Sequence, residues 1–199
     1  MRATPINAPS PQPSPARGEG VRKRALPGDM ARRNPTASAL RVNHAGEYGA
    51  LRIYAGQLAV LKNHACAEEL KHMAAQEQVH LAAFNRILPE YGVRPTALLP
   101  LWHVGGWVLG AATAALGARA AMACTVAVES VITEHYNAQL RDGSVDTALH
   151  PEIAQFRDEE MEHHAIGLAN EAEQTPLYAP LTAAIRGICR AAIALSARV

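Results

Sequence analysis

The sequence predicts an all-α protein, a four-helix bundle with additional apolar helices laid against it. Three observations carry that prediction. Apolar residues recur at helical spacing over four long stretches, each of those stripes is interrupted by a glutamate, and the pattern Glu-x-x-His occurs twice, at Glu77/His80 and Glu160/His163. Residues three apart are neighbours on one helix face. Each pair is preceded by a lone glutamate at nearly the same distance, Glu47 thirty residues before Glu77 and Glu129 thirty-one before Glu160.

One glutamate from each of two helices and a Glu-x-x-His from each of two others is the donor set of the ferritin-like di-iron or di-manganese carboxylate bundles. Length and composition agree. A chain of 199 residues is long enough for one well-cored domain. A net charge of +1, with 19% charged residues, excludes a general nucleic-acid binder. Aromatic residues are sparse at 5% and alanine is abundant, which suits closely packed helices. Cys66, Cys124 and Cys189 are scattered, without a C-x-x-C, and read as small buried residues in a reducing compartment.

Residues 1–35 differ in composition. They are rich in Pro, Arg, Ser and Gly, lack apolar periodicity, and are expected to be a disordered leader to a domain over 36–199. No continuous apolar core marks a secretory signal, and the prolines spoil the amphipathic helix of a transit peptide. Met30 is an alternative start.

The first helix is expected to begin between Ala37 and Asn43 and to run to about Asn63, with Glu47, Leu51, Tyr54, Leu58 and Leu61 on one face. A second, about Ala65 to Leu88, aligns Leu70, Met73, Glu77, His80, Leu81, Phe84 and Leu88. Glu69 and His72 repeat the Glu-x-x-His spacing there but fall, with Gln76 and Arg86, on the more polar side, as solvated surface. The uncharged run Pro95–Ala118 is long enough for a bilayer. Its glycines, alanines and Pro100, with Trp102, His103 and Trp107, instead suggest a segment dipping into one leaflet, with a buried bundle helix as the plainer reading.

A fourth helix, about Arg119 to Arg141, presents Met122, Val126, Glu129, Ile132, Thr133, Tyr136 and Leu140. Pro151 suits the first turn of a fifth, from Glu152 to about Glu173, which aligns Ile153, Phe156, Glu160, His163 and Gly167. A last apolar helix, about Leu177 to Ala197, carries Arg186 and Arg190 and packs on the bundle or the membrane surface.

An unpaired carboxylate withdrawn from water costs several kcal/mol, a large part of a domain's stability margin. Four apolar stripes, each broken by one glutamate and none carrying a lysine or arginine, therefore call for a counter-charge. Two divalent irons would balance four carboxylates, and mixed oxygen and nitrogen donors suit iron or manganese better than zinc or copper. Any single one of these glutamates is explained by partial exposure; all six residues together are not.

The segments RVNHAGEYGALRIYAGQ, RPTALLPLWHVGGWVLGAATAALG, AMACTVAVESVITEHYNAQLRD and FRDEEMEHHAIGLANEAE resemble the demethoxyubiquinone hydroxylase family of ubiquinone biosynthesis. The resemblance runs from about Ala39 to the C-terminus. It implies that Glu47, Glu77, His80, Glu129, Glu160 and His163 hold two iron ions, with Glu77 and Glu160 as bridges, and that His135 and Tyr136 are catalytic. His135 would gate proton or electron delivery, or hydrogen-bond a ligand. His44 is expected to support the site rather than ligate, and His164 to point away from it.

The implied activity is a monooxygenase reaction on a demethoxyubiquinol. One oxygen atom of O2 enters the ring, the other leaves as water, and two electrons come from outside. The polyprenyl substrate implies a peripheral membrane enzyme in contact with lipid, on the cytoplasmic face of a bacterial membrane or the matrix side of the mitochondrial inner membrane. No dinucleotide fingerprint is present, so NADH acting directly, NADH acting through the quinone, and a separate reductase or other ubiquinone-pathway protein all stay open as electron sources. Two other classes share features: a ferritin-like iron-storage or peroxide-scavenging protein, disfavoured by the apolar third helix, and a membrane scaffold with a vestigial site, disfavoured because no ligand is lost.

Overall fold

The computed structural model describes residues 35–199, which form six α-helices and two short 3-10 turns, with no strand among the described residues. Apart from Pro35, the expected leader and the alternative start at Met30 lie outside the described residues. Helix α1, Pro35–Leu61, begins earlier than expected. Proline is tolerated at a helix start because the N–H it lacks would have no partner there.

A short turn reverses the chain into α2, Ala67–Glu90, whose last turn contains Pro89. Gly92, at φ +63°, then redirects the chain. Helix α3, Leu99–Ala115, has Pro100 in its first turn and is shorter than the uncharged run suggested. Helix α4, Ala118–Asp142, ends at the left-handed Gly143. The side chain of Asp146 accepts from Ala148 N to cap the turn Thr147–Leu149, and α5, His150–Ala169, follows. Helix α5 stops short of Glu173 because Glu171 adopts φ +60° and Ala172–Gln174 tightens into the second 3-10 turn. Helix α6, Tyr178–Ser196, closes the chain.

Helices α1, α2, α4 and α5 form the bundle, with α1 against α2 and α4, and α5 against α4 and α2. Helix α3 is the crossover that carries the chain from the end of α2 to the start of α4, lying along α1 and also touching α4. Its glycines are explained by that contact. A Cβ on Gly110 would stand 2.0 Å from the carbonyl oxygen of Ile53, and one on Gly56 of α1 would stand 2.2 Å from that of Trp107, so the two helices meet backbone to backbone.

The outer side of α3 leaves Leu101, Val104 and Val108 more than half exposed, as are Ile188 of α6 and Leu177 just before that helix. Among the described residues only α6 is long and apolar enough to cross a membrane. Arg186 Nε donates to Ser130 Oγ at 3.1 Å and Arg190 pairs with Glu134 at 3.0 Å, tying α6 to α4.

The core is layered along the bundle. At one end Leu61, Leu70, Met73, Met122 and Val126 pack together, and at the other Leu40, Phe84, Ile87, Leu149, Ile153 and Phe156. Each fully buried large aliphatic side chain contributes about 1.5–3 kcal/mol. On every one of the four helices the glutamates and histidines singled out above fall between the residues of these two clusters. The polar layer is therefore held by apolar packing on both sides.

Candidate metal centre

Glu47 of α1, Glu77 and His80 of α2, Glu129 of α4, and Glu160 and His163 of α5 all turn inward at one level, each with at most 1% of its surface exposed. Their donor atoms fall into two groups, Glu47, Glu77, His80 and Glu160, and Glu77, Glu129, Glu160 and His163, each with all its atoms within 4.8 Å of one another. Glu77 and Glu160 belong to both groups. Both histidines face the cluster through Nδ1: that of His80 lies 3.2 Å from Glu47 Oε2 and 3.1 Å from Glu160 Oε1, and that of His163 lies 3.1 Å from Glu160 Oε2 and 3.4 Å from Glu77 Oε1.

The electrostatics are those of an anionic cage. Burial, and then the charges of Glu160, Glu47 and Glu129, hold the Glu77 carboxyl well above the usual carboxylate range; burial and Glu160 do the same to Glu129. Burial pushes Glu160 up as well, but hydrogen bonds from His163 and His80 outweigh it and bring it to about 2. Burial pushes His80 down, and its hydrogen bonds to Glu160 and Glu47 more than reverse this, taking it to about 11.

Both oxygens of Glu77, with Glu129 Oε2, have no hydrogen-bond donor. A buried acceptor without a donor costs about 1–3 kcal/mol, so three of them mark an unmet need for cations. The donor set, carboxylate oxygens and imidazole nitrogens with no thiolate, fits hard-to-intermediate divalent metals such as iron or manganese.

The next layer outward repeats across the site. Tyr54 of α1 donates to Glu129 Oε1 of α4 at 2.5 Å, and Tyr136 of α4 donates to Glu47 Oε1 of α1. Burial, followed by the carboxylate each one meets, raises both phenols well above their usual value. His80 Nε2 lies 2.5 Å from Glu159 Oε2 on α5, and His163 Nε2 lies 2.9 Å from Gln76 Oε1 on α2.

Tyr54, Glu159 and Gln76 were not among the expected site residues. Tyr54 stands seven residues after Glu47, as Tyr136 stands seven after Glu129, and that repeated spacing is the signal for it. Gln76 corrects the assignment of its side of α2 to solvated surface: it is half-buried and reaches His163. His72 is exposed as expected, but Glu69 is half-buried with Oε2 lacking a partner, and neither belongs to the two donor groups.

His135 stands apart from the donor groups. Its Nε2 accepts from Gln139 Nε2 at 2.7 Å, and Gln139 is clasped to Asn43 of α1 by reciprocal amide hydrogen bonds of 2.6 and 3.0 Å. Burial lowers its basicity against the charge of Asp142. The ring lies 6.4 Å from that of Tyr136. His44 hydrogen-bonds Asn85 through Nε2 at 3.1 Å and is not a donor to either group, and His164 is half-buried beside Arg186.

An apolar cavity of about 390 Å³ lies between α1, α3, α4 and α6, lined by none of the six donors but by neighbours of two of them in the chain. Gly46, Gly49 and Ala50 line it on the α1 side, around Glu47, and Val128 and Ile132 on the α4 side, around Glu129. Its volume lies in the range of small-molecule sites, roughly 300–1,000 Å³.

Comparison with known proteins places this arrangement among relatives. The family model described as ubiquinone biosynthesis protein COQ7 matches residues 34–196. A Rattus norvegicus protein named NADPH-dependent 3-demethoxyubiquinone 3-hydroxylase, mitochondrial, is 47% identical over 197 residues, covering 94% of this chain and 91% of the relative. The Homo sapiens protein of the same name is 52% identical over 165 residues, covering 80% and 76%. A Rhodospirillum rubrum protein named 3-demethoxyubiquinol 3-hydroxylase is 48% identical over 186 residues, covering 92% and 88%.

Proposed function

This chain belongs to the ubiquinone biosynthesis protein COQ7 family and acts as a 3-demethoxyubiquinol 3-hydroxylase, and we propose that it does so as a di-iron monooxygenase. The observation that carries the metal reading is the set of three buried carboxylate oxygens without donors, on Glu77 and Glu129, in a cluster faced by two histidine Nδ1 atoms. Glu47, Glu77, His80, Glu129, Glu160 and His163 would hold the two iron ions, Glu77 and Glu160 being common to both donor groups. When bound, the irons supply activation of O2 for ring hydroxylation, with two electrons and two protons completing the reduction of the second oxygen atom to water.

The residues around the metals orient and exclude. Tyr54 and Tyr136 hold Glu129 and Glu47 through one oxygen each. The apolar clusters above and below keep water from the donors. The cavity between α1, α3, α4 and α6 takes the quinol ring and the start of its tail, a largely apolar wall suited to a polyprenyl chain. The exposed apolar sides of α3 and α6 border that cavity and dock the enzyme on the membrane, where such a substrate resides. The names of the rat and human relatives carry NADPH, and the electron donor here is taken to be a reduced nicotinamide cofactor. An iron store or peroxide scavenger would share the donors but has no use for an apolar cavity beside them.

Hydroxylation of a demethoxyubiquinol, followed by mass spectrometry in a deletion strain, tests the assignment. Supplying the chain clears the accumulated demethoxy intermediate; Glu160→Ala does not clear it and binds no iron. A Glu160→Ala protein of normal activity would overturn the metal reading.

A further inference from the structure

The two halves of the donor cluster match in their ligands but differ in what stands behind each histidine. His80, whose Nδ1 faces the cluster, presents Nε2 to the carboxylate of Glu159 at 2.5 Å. His163, facing the cluster in the same way, presents Nε2 to the amide oxygen of Gln76 at 2.9 Å. Both partners occupy the position just before the glutamate of the opposite Glu-x-x-His. The chemistry alone is unequal.

When Nδ1 gives up its proton for a metal ion, the remaining ring hydrogen sits on Nε2 and is donated outward. A hydrogen bond to an ionised acceptor is roughly twice as strong as one to a neutral acceptor. It pulls the ring toward imidazolate and makes the other nitrogen a better donor. Glu159 is set for this role: Gln155 Nε2 donates to its second oxygen at 2.9 Å, and its side chain is a quarter exposed, so its own charge stays in touch with solvent.

We infer that Glu159 and Gln76 are positioning residues that make the two metal positions unequal, the one beside His80 binding its ion more tightly and donating more electron density to it than the one beside His163. This rests on the metal-centre reading above. It assigns the difference between the positions to two residues that touch no metal, and to the contrast of carboxylate with amide.

The test is a titration of the metal-free full chain with Mn(II), without oxygen, following the electron paramagnetic resonance signal of the unbound ion. Wild-type protein takes up two ions in separate steps. Glu159→Gln weakens the tighter step about tenfold and leaves the weaker one in place, so the steps merge. Gln76→Glu does the opposite, tightening the weaker step about tenfold and leaving the tighter one. The double exchange restores two separated steps. Both changes preserve side-chain size, and a purely structural role would weaken binding in both variants, so the opposed signs carry the test. Two bound ions whose separation neither exchange moves would overturn this inference and leave the metal centre standing. A wild-type chain that binds no divalent ion would overturn both.

Discussion

Tyr54 on α1 donates a hydrogen bond to Glu129 Oε1 on α4 at 2.5 Å, and both groups are buried. Removing the phenol oxygen leaves a second oxygen of Glu129 without a donor. Tyr54→Phe is therefore expected to destabilise the metal-free protein by about 1–3 kcal/mol, read by urea denaturation. Tyr136→Phe is expected to cost a similar amount, since it deprives Glu47 in the same way. A Tyr54→Phe protein as stable as wild type would show that Glu129 finds another partner.

The metal-free fold should respond to pH in opposed ways. Glu77 and Glu129 are raised by burial and neighbouring carboxylates, so they stay protonated in the fold while the unfolded chain ionises near 4.5; this part of stability falls as pH rises toward neutrality. His80, raised to about 11, contributes fully below 6.5 and loses its contribution as pH climbs from there toward about 11. Glu160, lowered to about 2, contributes above 4.5 and loses its contribution as pH falls toward about 2.

Metal binding displaces the protons that the raised carboxyls hold. Adding Mn(II) to the metal-free chain in unbuffered solution at neutral pH is expected to release protons, measured by base uptake in a pH-stat. Affinity should weaken as pH falls. Uptake of two ions without proton release would contradict the raised values of Glu77 and Glu129.

Gly49 lines the cavity, and a Cβ there meets nothing within 4 Å. Gly49→Leu should fold normally, fill part of the space and raise KM for the quinol about tenfold or more, with iron content unchanged. Steady-state kinetics alongside metal analysis separates this from damage to the centre.

Gly110→Ala drives a methyl group to within 2.0 Å of the Ile53 carbonyl and should cost about 1–3 kcal/mol as α3 is pushed off α1. At Gly105 a Cβ meets nothing within 4 Å, so Gly105→Ala serves as the control and should be neutral or slightly stabilising. Thermal melts compare the two.

The six inward donors were legible in the sequence because a helix places residues three apart side by side, and because a glutamate on an apolar stripe is costly enough to stand out. Tyr54 was legible too, through a spacing from Glu47 that matches Tyr136 and Glu129. Glu159 and Gln76 were not: each sits at the edge of its stripe, and whether an edge residue meets solvent or a partner depends on how α2 and α5 are turned toward each other. The packing role of the α3 glycines was hidden for a similar reason. Glycine in an apolar run weakens a membrane reading, but that Gly110 meets Ile53 of α1 is settled only by a contact between distant parts of the chain.

The reciprocal hydrogen bonds between α1 and α4, and between α2 and α5, have a consequence for how such a chain can be assembled. Each two-helix hairpin, α1 with α2 or α4 with α5, brings one lone glutamate, one Glu-x-x-His, one tyrosine and one outer partner for the opposite histidine. Neither hairpin is complete, because every tyrosine and every outer partner serves the other one. Two copies of a single hairpin, related by a dyad, would close the same circuit, and a tandem repeat joined by one crossover would then be free to let its halves diverge. The carboxylate at 159 and the amide at 76 are where this chain's two halves have parted company.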